Sequence, residues 1–396
     1  MLGVMTVLLV AAAAFRAPHS APDRSSSALP PGASNTSREA LSQTVAQMEG
    51  VLAERPTDSE AAVRLADALL RQARILNHGG LPLRAEAALD TVISDNPADY
   101  LARRMRAAVY LAQHRFREAL LEAGRCRELR GDDAWIDGVI GDASIELGDY
   151  PAAFAAFDRM MERRPDAAAY ARASYARELQ GDLKGAIALM QMASSATSSR
   201  DPEAQAWQTA QLGHLYLSVG DTKSARREYL RAEYVFPGHP FADAGLARVD
   251  VAEGQPALAL ARLTRRLAER PSAAEFALAG DLHQKLGQPE QAERSYRLAE
   301  AAWTSDTPEP AQLARFLATR GWRLPDAVRL AEETFAMRKD IFTADALAWA
   351  YFRSGRLDHA RVALNQALST GSLDRELREH AAAIEAAVRR RGKAGR

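Results

Sequence analysis

Residues 206–237 read AWQTAQLGHLYLSVGDTKSARREYLRAEYVFP. In the first half of this stretch, Leu212, Leu215 and Val219 recur at spacings of 3 and 4, which is typical of one face of an α-helix. Gly220 then predicts a turn, because glycine readily adopts the left-handed backbone conformation that ends a helix. The stretch therefore begins with an amphipathic helix that stops at a defined position.

A second helix follows the turn. Ala225, Tyr229 and Ala232 share one of its faces, and Pro237 predicts its end. Gly213 and Ala225 are small residues on the two helices, so the helices can approach to about 8–10 Å. Two helices this short cannot bury their apolar faces alone, and the pair therefore requires similar neighbours on either side.

The same pattern recurs along the chain at intervals of 33 to 39 residues. The turn position falls at Gly80, His114, Gly148, Gly181, Gly220, Gly254, Gly287, Gly321 and Gly355. Five residues later stand Ala85, Ala119, Ala153, Ala186, Ala225, Ala259, Ala292, Asp326 and Ala360. Nine residues after the turn stand the mostly large side chains Leu89, Ala123, Phe157, Met190, Tyr229, Leu263, Tyr296, Leu330 and Leu364. This regularity predicts one helical hairpin repeated along most of the chain.

The period and the order of small and large residues resemble the tetratricopeptide repeat, most clearly in Leu147–Pro165 and Gly181–Ala193. The resemblance covers about residues 58–383, and Asp345–Ala360 is similar to uncharacterised bacterial secreted or membrane-linked members. It implies an all-α fold, a tetratricopeptide-repeat right-handed α-solenoid of about eight to nine helix pairs. It also implies a non-catalytic scaffold that binds other proteins.

Three features depart from the repeat pattern. His114 replaces a turn glycine, Asp326 replaces a small alanine, and the first pair carries an insertion around Ile75–Gly79. The pattern nevertheless predicts an order of segments along the chain. They are a signal peptide or membrane anchor (1–16), a disordered Pro/Ser/Ala tether (17–37), a capping helix (38–57), an N-terminal repeat block (58–200), a C-terminal repeat block (201–372), and a capping helix with a basic tail (373–396).

The N-terminal segment Leu2–Phe15 is a run of 14 apolar residues. A bilayer-spanning helix needs about 20 residues, so the run favours the core of a signal peptide. No Lys or Arg precedes the run and Arg16 follows it, so an uncleaved tether through residues 2–15 and a cytoplasmic protein remain alternatives. The favoured expectation is a protein that is exported or anchored on the extracytoplasmic side of a membrane.

Composition narrows the possible functions. Lys plus Arg and Asp plus Glu both number 51, so no net positive charge favours nucleic acid. The single cysteine, Cys126, has no partner for an internal disulfide, and the eight histidines do not pair at metal-ligand spacing. Nucleotide-binding, nucleophile-elbow and zinc-protease motifs are not found. The sequence therefore predicts no enzyme, metal or cofactor, and a protein or peptide partner whose identity and stoichiometry are open.

Candidate binding residues follow from the resemblance, which implies that the first helix of each pair lines a concave groove. Positions thirteen residues before the turn, here called the outer row, include Trp135, Trp207, Phe241 and Phe342. Positions six residues before the turn, the inner row, include Asp142, Tyr175, His214, Arg248, Asp281 and Trp349. Aromatic side chains with interspersed single charges are typical of peptide-binding surfaces.

Two alternatives stand beside this interpretation. The outer-row aromatics could simply pack between neighbouring first helices. Tyr175, His214 and Asp281 could instead serve a ligand-binding or regulatory subunit of an enzyme complex. The inner row has neither Lys nor Asn, which argues against a clamp for a partner's C-terminal carboxylate of the kind some tetratricopeptide proteins use.

Overall fold

The computed structural model describes residues 38–76, 79–269, 272–304 and 309–394. The predicted signal peptide or anchor and the predicted tether lie outside these ranges. Within them, no helix is long and apolar enough to cross a membrane. The described residues form helices and no strand: α1 Arg38–Glu54, α2 Ser59–Leu76, α3 Gly80–Asp95, α4 Tyr100–Ala112, α5 Phe116–Leu129, α6 Ala134–Glu146, α7 Tyr150–Arg163, α8 Ala167–Leu179, α9 Leu183–Ala196, α10 Pro202–Ser218, α11 Thr222–Val235, α12 Pro240–Ala252, α13 Pro256–Glu269, α14 Ala273–Lys285, α15 Pro289–Trp303, α16 Pro310–Arg320, α17 Leu324–Met337, α18 Ile341–Arg353, α19 Leu357–Ala367 and α20 Arg375–Ala394.

Helices α2 to α19 form nine consecutive pairs, in which each first helix packs on its second helix and the second helix packs on the next pair. Helix α1 packs on α2, and α20 packs on α18 and α19. Within the described ranges the prediction of an all-α solenoid of eight to nine helix pairs is confirmed. The predicted capping helix is α1, which buries Leu41, Val45 and Met48.

The predicted turns are left-handed at every position except the first. Backbone φ lies between 70° and 81° at the turn glycines from Gly148 to Gly355, and His114 adopts φ 60° in the same place. Gly80 is different because it is the first residue of α3 and has no positive φ. The turn prediction for Gly80 is therefore wrong: the insertion lengthens α2, and the chain reverses before residue 80.

Small residues in first helices face large residues in second helices, as the sequence pattern predicts. A Cβ added to Gly141 would overlap the ring of Phe157, and one added to Gly280 would overlap the ring of Tyr296. The pattern fails in the eighth pair. Arg323, at φ 40°, lengthens the turn after Gly321 by one residue, so the fully buried residue at the start of α17 is Ala327 and not Asp326.

Two long-range contacts connect parts of the chain that a simple array would keep apart. The first seam joins α1 and α2 to residues 201–239. In it, Arg38 donates to the carbonyl oxygen of Gly238 at 2.8 Å, and Arg71 pairs with Asp201 at 3.0 Å. The interval between the turns at Gly181 and Gly220 is longer than the others, and its additional segment includes Asp201, which makes this contact. In this repeat α9 continues to Ala196 and α10 begins at Pro202.

The second seam joins the turns after α4, α6 and α8 to the segments that precede α18 and α20. Arg338 donates to Glu146 and lies 3.5 Å from Asp340, and both carboxylates are buried. The backbone N–H of Ile341 donates to the hydroxyl oxygen of Tyr150 at 2.7 Å. The predicted N-terminal and C-terminal blocks therefore contact each other far from their boundary.

His114 gives the second seam a pH dependence. Its ring stacks on Phe116, and the guanidinium of Arg338 lies 5.4 Å from the Phe116 ring. Burial, with the charge of Arg338 as a smaller cause, lowers the pKa of His114 from 6.5 to about 4. Between those values the unfolded chain binds a proton more readily than the folded chain, so stability is lost as the pH falls through this window.

We expect His114→Asn to remove this loss, because asparagine tolerates the left-handed backbone and does not titrate. From pH 7 to pH 4 the wild type should lose about 1–3 kcal/mol relative to the variant. Urea unfolding at pH 7, 5.5 and 4, followed by circular dichroism, measures this difference. Parallel stability profiles for the two proteins would contradict the assignment.

Candidate functional site

The outer-row aromatics differ in their accessibility. Trp207 is 1% exposed and Trp135 is 7% exposed, so neither indole offers much area to a partner. The guanidinium of Arg104 covers the Trp135 ring at 4.2 Å from its centroid. Phe241 and Phe342 are half-buried and keep part of their rings accessible. Of this row, Phe241 and Phe342 are the side chains that a partner could reach.

Most charged residues of the inner row are held by neighbours. Asp142 accepts from Nε and Nη2 of the buried Arg172 at 3.0 and 2.7 Å. Burial raises the pKa of Asp142, and the positive charge of Arg172 opposes that rise. His214 lies 3.0 Å from Glu178 through its Nε2. These side chains hold adjacent first helices together, which is a structural task.

Asp281 and Trp349 are also engaged within the chain. Asp281 accepts from the hydroxyl of Tyr296 at 2.9 Å and from Arg320. Trp349 stacks on His380 with ring centroids 4.0 Å apart, and its Nε1 donates to Thr319 at 3.0 Å.

Tyr175 is half-buried and packs with core residues on both sides. It lies close enough to Arg338 for the two groups to interact electrostatically. The three residues proposed for a small-ligand site, Tyr175, His214 and Asp281, lie on α8, α10 and α14, and His214 and Asp281 are each bonded to other side chains.

Arg248 differs from the rest of the inner row. It is half-buried, its Nε has no hydrogen-bond partner, and it forms no ion pair within the described part of the chain. Arg248 acts electrostatically on Glu275, but the Glu275 carboxylate is already bonded to Arg266 at 2.6 Å. Arg248 is therefore a half-buried cation without an ion-pair partner among the described residues.

Arg248 and Phe241 lie on the same helix, α12, seven residues apart. Seven residues are close to two helical turns, so both side chains project from one face about 10 Å apart. The Phe241 ring tilts against the buried His239, with centroids 5.7 Å apart, and this contact fixes its position. The pair, here called the α12 face, combines an apolar anchor with an available positive charge.

The sequence patterns did not identify the residues that bond to or stack on the inner-row side chains. The partners of the inner-row side chains lie on neighbouring first helices or on α20, and they are Arg172, Glu178, Arg320 and His380. A comparison of opposite charges about 30 to 39 residues apart could have found them, because Asp142–Arg172, Glu178–His214 and Asp281–Arg320 have these separations.

Across residues 38–76, 79–269, 272–304 and 309–394, no group of three His, Cys, Asp or Glu residues could hold a metal ion. Cys126 is buried, and burial raises the pKa of its thiol to about 12. A thiol in this state is a packing group and a poor nucleophile.

Comparisons with known proteins agree with this architecture. Residues 139–202 match the tetratricopeptide repeat family model. No curated protein matches the chain in sequence. Among solved structures, a chain of the APC/C hetero-tetramer Cut9–Hcn1 is similar at 13% identity and TM-score 0.51, with 86% of this chain and 59% of that chain covered. The human IFIT1 dimer with m7Gppp-AAAA is similar at 15% identity and TM-score 0.55, with 84% and 78% covered.

At these identities the solved structures show the fold alone, and this chain spans about three-fifths of the Cut9–Hcn1 chain. The repeat match adds the family signature in α6 to α9, which contain the turn glycines Gly148 and Gly181 between their helices. The chain therefore carries a tetratricopeptide repeat signature in residues 139–202 and an all-α fold similar to these solved structures, and a repeat fold of this kind serves in general as a protein-interaction scaffold.

Proposed function

We propose that this protein is a non-catalytic scaffold that binds a peptide or helix of a partner protein across the α12 face. The observation that carries the proposal is the unpaired Arg248 beside the accessible ring of Phe241. The preferred partner segment presents an acidic side chain to Arg248 and an apolar side chain to Phe241. An Arg with an aromatic neighbour is a frequent anchor in protein interfaces.

The remaining candidate residues support this choice by elimination. The side chains of Asp142, His214 and Asp281 are bonded to residues of neighbouring helices, and Trp207 is in the core. The equal numbers of acidic and basic residues favour a protein partner over nucleic acid.

The apolar run Leu2–Phe15 and the predicted tether support an exported or membrane-anchored scaffold. Cell fractionation of the protein with and without residues 1–16 tests this localisation.

A charge-reversal selection tests the α12 face. A displayed library of random peptides is selected on the wild-type protein and, separately, on Arg248→Glu. We expect wild-type ligands to carry Asp or Glu near an apolar residue, and to bind Arg248→Glu about 10–100-fold more weakly. The variant should select Lys or Arg at the same peptide position.

A matched control separates this effect from a general change of charge. Arg294 is exposed on α15 and, within the described residues, makes no hydrogen bond or ion pair. Arg294→Glu alters the net charge equally and should select the same peptides as the wild type. If Arg248→Glu and the wild type enrich the same sequences, the α12 face is not the binding surface.

A further inference from the structure

Basic residues are concentrated on three consecutive second helices. The second helices of the nine pairs are the odd-numbered helices α3 to α19. Among them, α9, α11 and α13 contain eight Lys and Arg residues against three Asp and Glu residues, whereas the other six contain ten against fifteen. A chain with no net charge therefore carries a local excess of positive charge on neighbouring repeats.

The exposed side chains of α9, α11 and α13, here called the basic face, include no acidic residue among those that the structure describes. Each of the other six second helices exposes at least one Asp or Glu. The exposed cations of the basic face are Lys184, Lys223, Arg227, Arg231 and Arg265. Lys184, Lys223 and Arg265 form no ion pair among the described residues, so their charges face solvent.

Two residues of the intervening first helices hold the three second helices side by side. Tyr216 of α10 accepts a hydrogen bond from Gln191 of α9 at 2.9 Å, and the guanidinium of Arg227 on α11 lies 5.9 Å from its ring. Asp250 of α12 accepts from Arg226 of α11 at 2.8 Å and from an arginine of α13 at 3.1 Å. Tyr216 and Asp250 both stand four positions before the turn of their pair, so the three second helices share one side of the array.

Large apolar side chains are exposed among these cations. They are Met192, Leu230, Tyr234 and Leu258. Tyr234 is 88% exposed, so nearly all of its ring contacts solvent, and Leu230 lies one helical turn before it on α11. An anionic bilayer accepts both kinds of side chain, since its headgroups pair with Lys and Arg and its interfacial region takes up Tyr and aliphatic groups.

The acidic residues beside the basic face are bonded within the chain. Glu228 is buried and accepts from Arg227 at 2.9 Å, and Glu233 accepts from a backbone N–H at 2.9 Å. Asp182 and Asp221 precede α9 and α11 and accept from N–H groups in the first turns of these helices. Among the described residues, these negative charges therefore lie beneath the face or at its turn edge.

The N-terminal chain joins the described fold next to the basic face. Helix α1 begins at Arg38, which donates to the carbonyl oxygen of Gly238 and lies 5.1 Å from the ring of Phe236, just after the end of α11. A flexible chain of the length of the predicted tether, residues 17–37, has an end-to-end distance of about 25 Å. An apolar segment held in a membrane at residues 2–15 therefore keeps the end of α11 close to the lipid.

We propose that the basic face docks on the surface of a membrane that contains anionic lipids. The five exposed cations contact lipid headgroups, and Leu230 and Tyr234 enter the interfacial region. The presence of the protein at a membrane rests on the proposed function, whereas the affinity of this face for anionic lipid does not.

Docking in this orientation leaves the α12 face accessible. Asp250 projects from α12 toward α11 and α13, to which it is bonded. Phe241 and Arg248 are nine and two residues from Asp250, which places them about 160–180° around the helix from it at about 100° per residue. The face that meets lipid and the face proposed for a partner are therefore on opposite sides of α12.

Spin labelling of the full-length protein tests where lipid makes contact. Met192→Cys on α9 and Leu129→Cys on α5 place the label at positions that are both 46% exposed, and the native Cys126 is buried. The vesicles contain phosphatidylcholine alone, or two parts of it with one part of phosphatidylglycerol. We expect the anionic vesicles to shield the label at 192 from a water-soluble paramagnetic nickel complex and to leave the label at 129 accessible. Membrane insertion of residues 2–15 does not by itself produce this difference between two positions.

Two double variants, each carrying the label at position 192, test the role of the cations. Lys223→Gln/Arg265→Gln removes two cations of the basic face, and Arg294→Gln/Arg361→Gln removes two exposed cations of α15 and α19. None of the four forms an ion pair among the described residues, so neither variant breaks such a contact. We expect the ratio of shielded to unshielded label to fall about 10–30-fold in the first variant, because each basic residue at an anionic surface strengthens binding by about fivefold. The second variant should keep the ratio of the parent protein.

Three outcomes would overturn the proposal. The first is equal shielding of the labels at 192 and 129, and the second is equal loss of shielding in the two double variants. The third is stronger shielding by polyglutamate than by anionic vesicles at equal charge concentration, which assigns the basic face to an acidic protein. None of these measurements involves a peptide ligand of the α12 face, so their failure is distinguishable from failure of the peptide selection.

Discussion

Replacement of Glu203 by leucine is expected to lower the free energy of unfolding by about 3–5 kcal/mol, because it leaves a buried guanidinium without a counter-charge. Arg74 and Glu203 are joined by two hydrogen bonds, one of them 2.7 Å between Nε and Oε1, and both side chains are almost fully buried. The Arg74 Nη1 already has no partner among the described residues. Arg74 cannot reach solvent when the carboxylate is removed.

The double variant Arg74→Leu/Glu203→Leu distinguishes this mechanism from a simple loss of packing. Replacing both charges with apolar groups is often neutral or stabilising, so the double variant should recover most of the lost stability. Arg71 stays paired with Asp67 and Asp201 in every case. Urea midpoints of the wild type, the two single variants and the double variant complete the cycle. Additive single effects would show that the two residues do not form a coupled pair.

Tyr229→Ala should be equally severe, at about 3–5 kcal/mol, because it empties the space between two successive first helices. Tyr229 is 2% exposed, and its ring lies against Gly213 of α10 and Gly245 of α12. A Cβ on Gly213 would sit 3.0 Å from the ring, and a Cβ on Gly245 would overlap it. The ring is therefore enclosed by two glycine surfaces that a smaller side chain cannot follow.

The matching substitution on the glycine side provides the control. Gly245→Ala should cost about 1–3 kcal/mol in the wild type because its methyl group overlaps the Tyr229 ring. In the Tyr229→Ala background the same substitution should cost much less, since the methyl group then enters empty space. Thermal and urea unfolding measure the four proteins. An unchanged cost in both backgrounds would contradict the pairing of small and large positions.

The Tyr229 pairing also shows what the sequence predicts well. Gly213, Gly220, Ala225 and Tyr229 are close together in the sequence, their offsets repeat, and each has a steric reason that recurs in most of the pairs. The packing between adjacent helices can therefore be predicted from a single sequence. The turn at Arg323 contains one additional residue. The fixed offset therefore points to Asp326, whereas the buried residue is Ala327, because a fixed offset does not account for an insertion.

The candidate site was less predictable, because the position of a residue in the inner row does not show which side chain it bonds to in the folded protein. His214 and Arg248 occupy equivalent offsets, yet one is bonded to Glu178 and the other has no bonded partner among the described residues. That difference depends on side chains from a neighbouring repeat. The two seams could not be predicted either, because no sequence pattern around Arg74 or Gly148 indicates a contact with residue 203 or residue 339. Burial of Trp207 follows from the same tertiary packing.

The first seam has a consequence for how the chain acquires its structure. Contacts between residues 129 to 200 apart, such as Arg74–Glu203 and Arg38–Gly238, are rare in an array where each repeat touches only its neighbours. Such an array can begin to fold at any repeat and propagate outward. Here the ends of long loops must be brought together as well, and the entropy of that closure is offset only when both partners are already ordered. The seam therefore raises the contact order of a helical protein and couples distant repeats into a more cooperative folding unit.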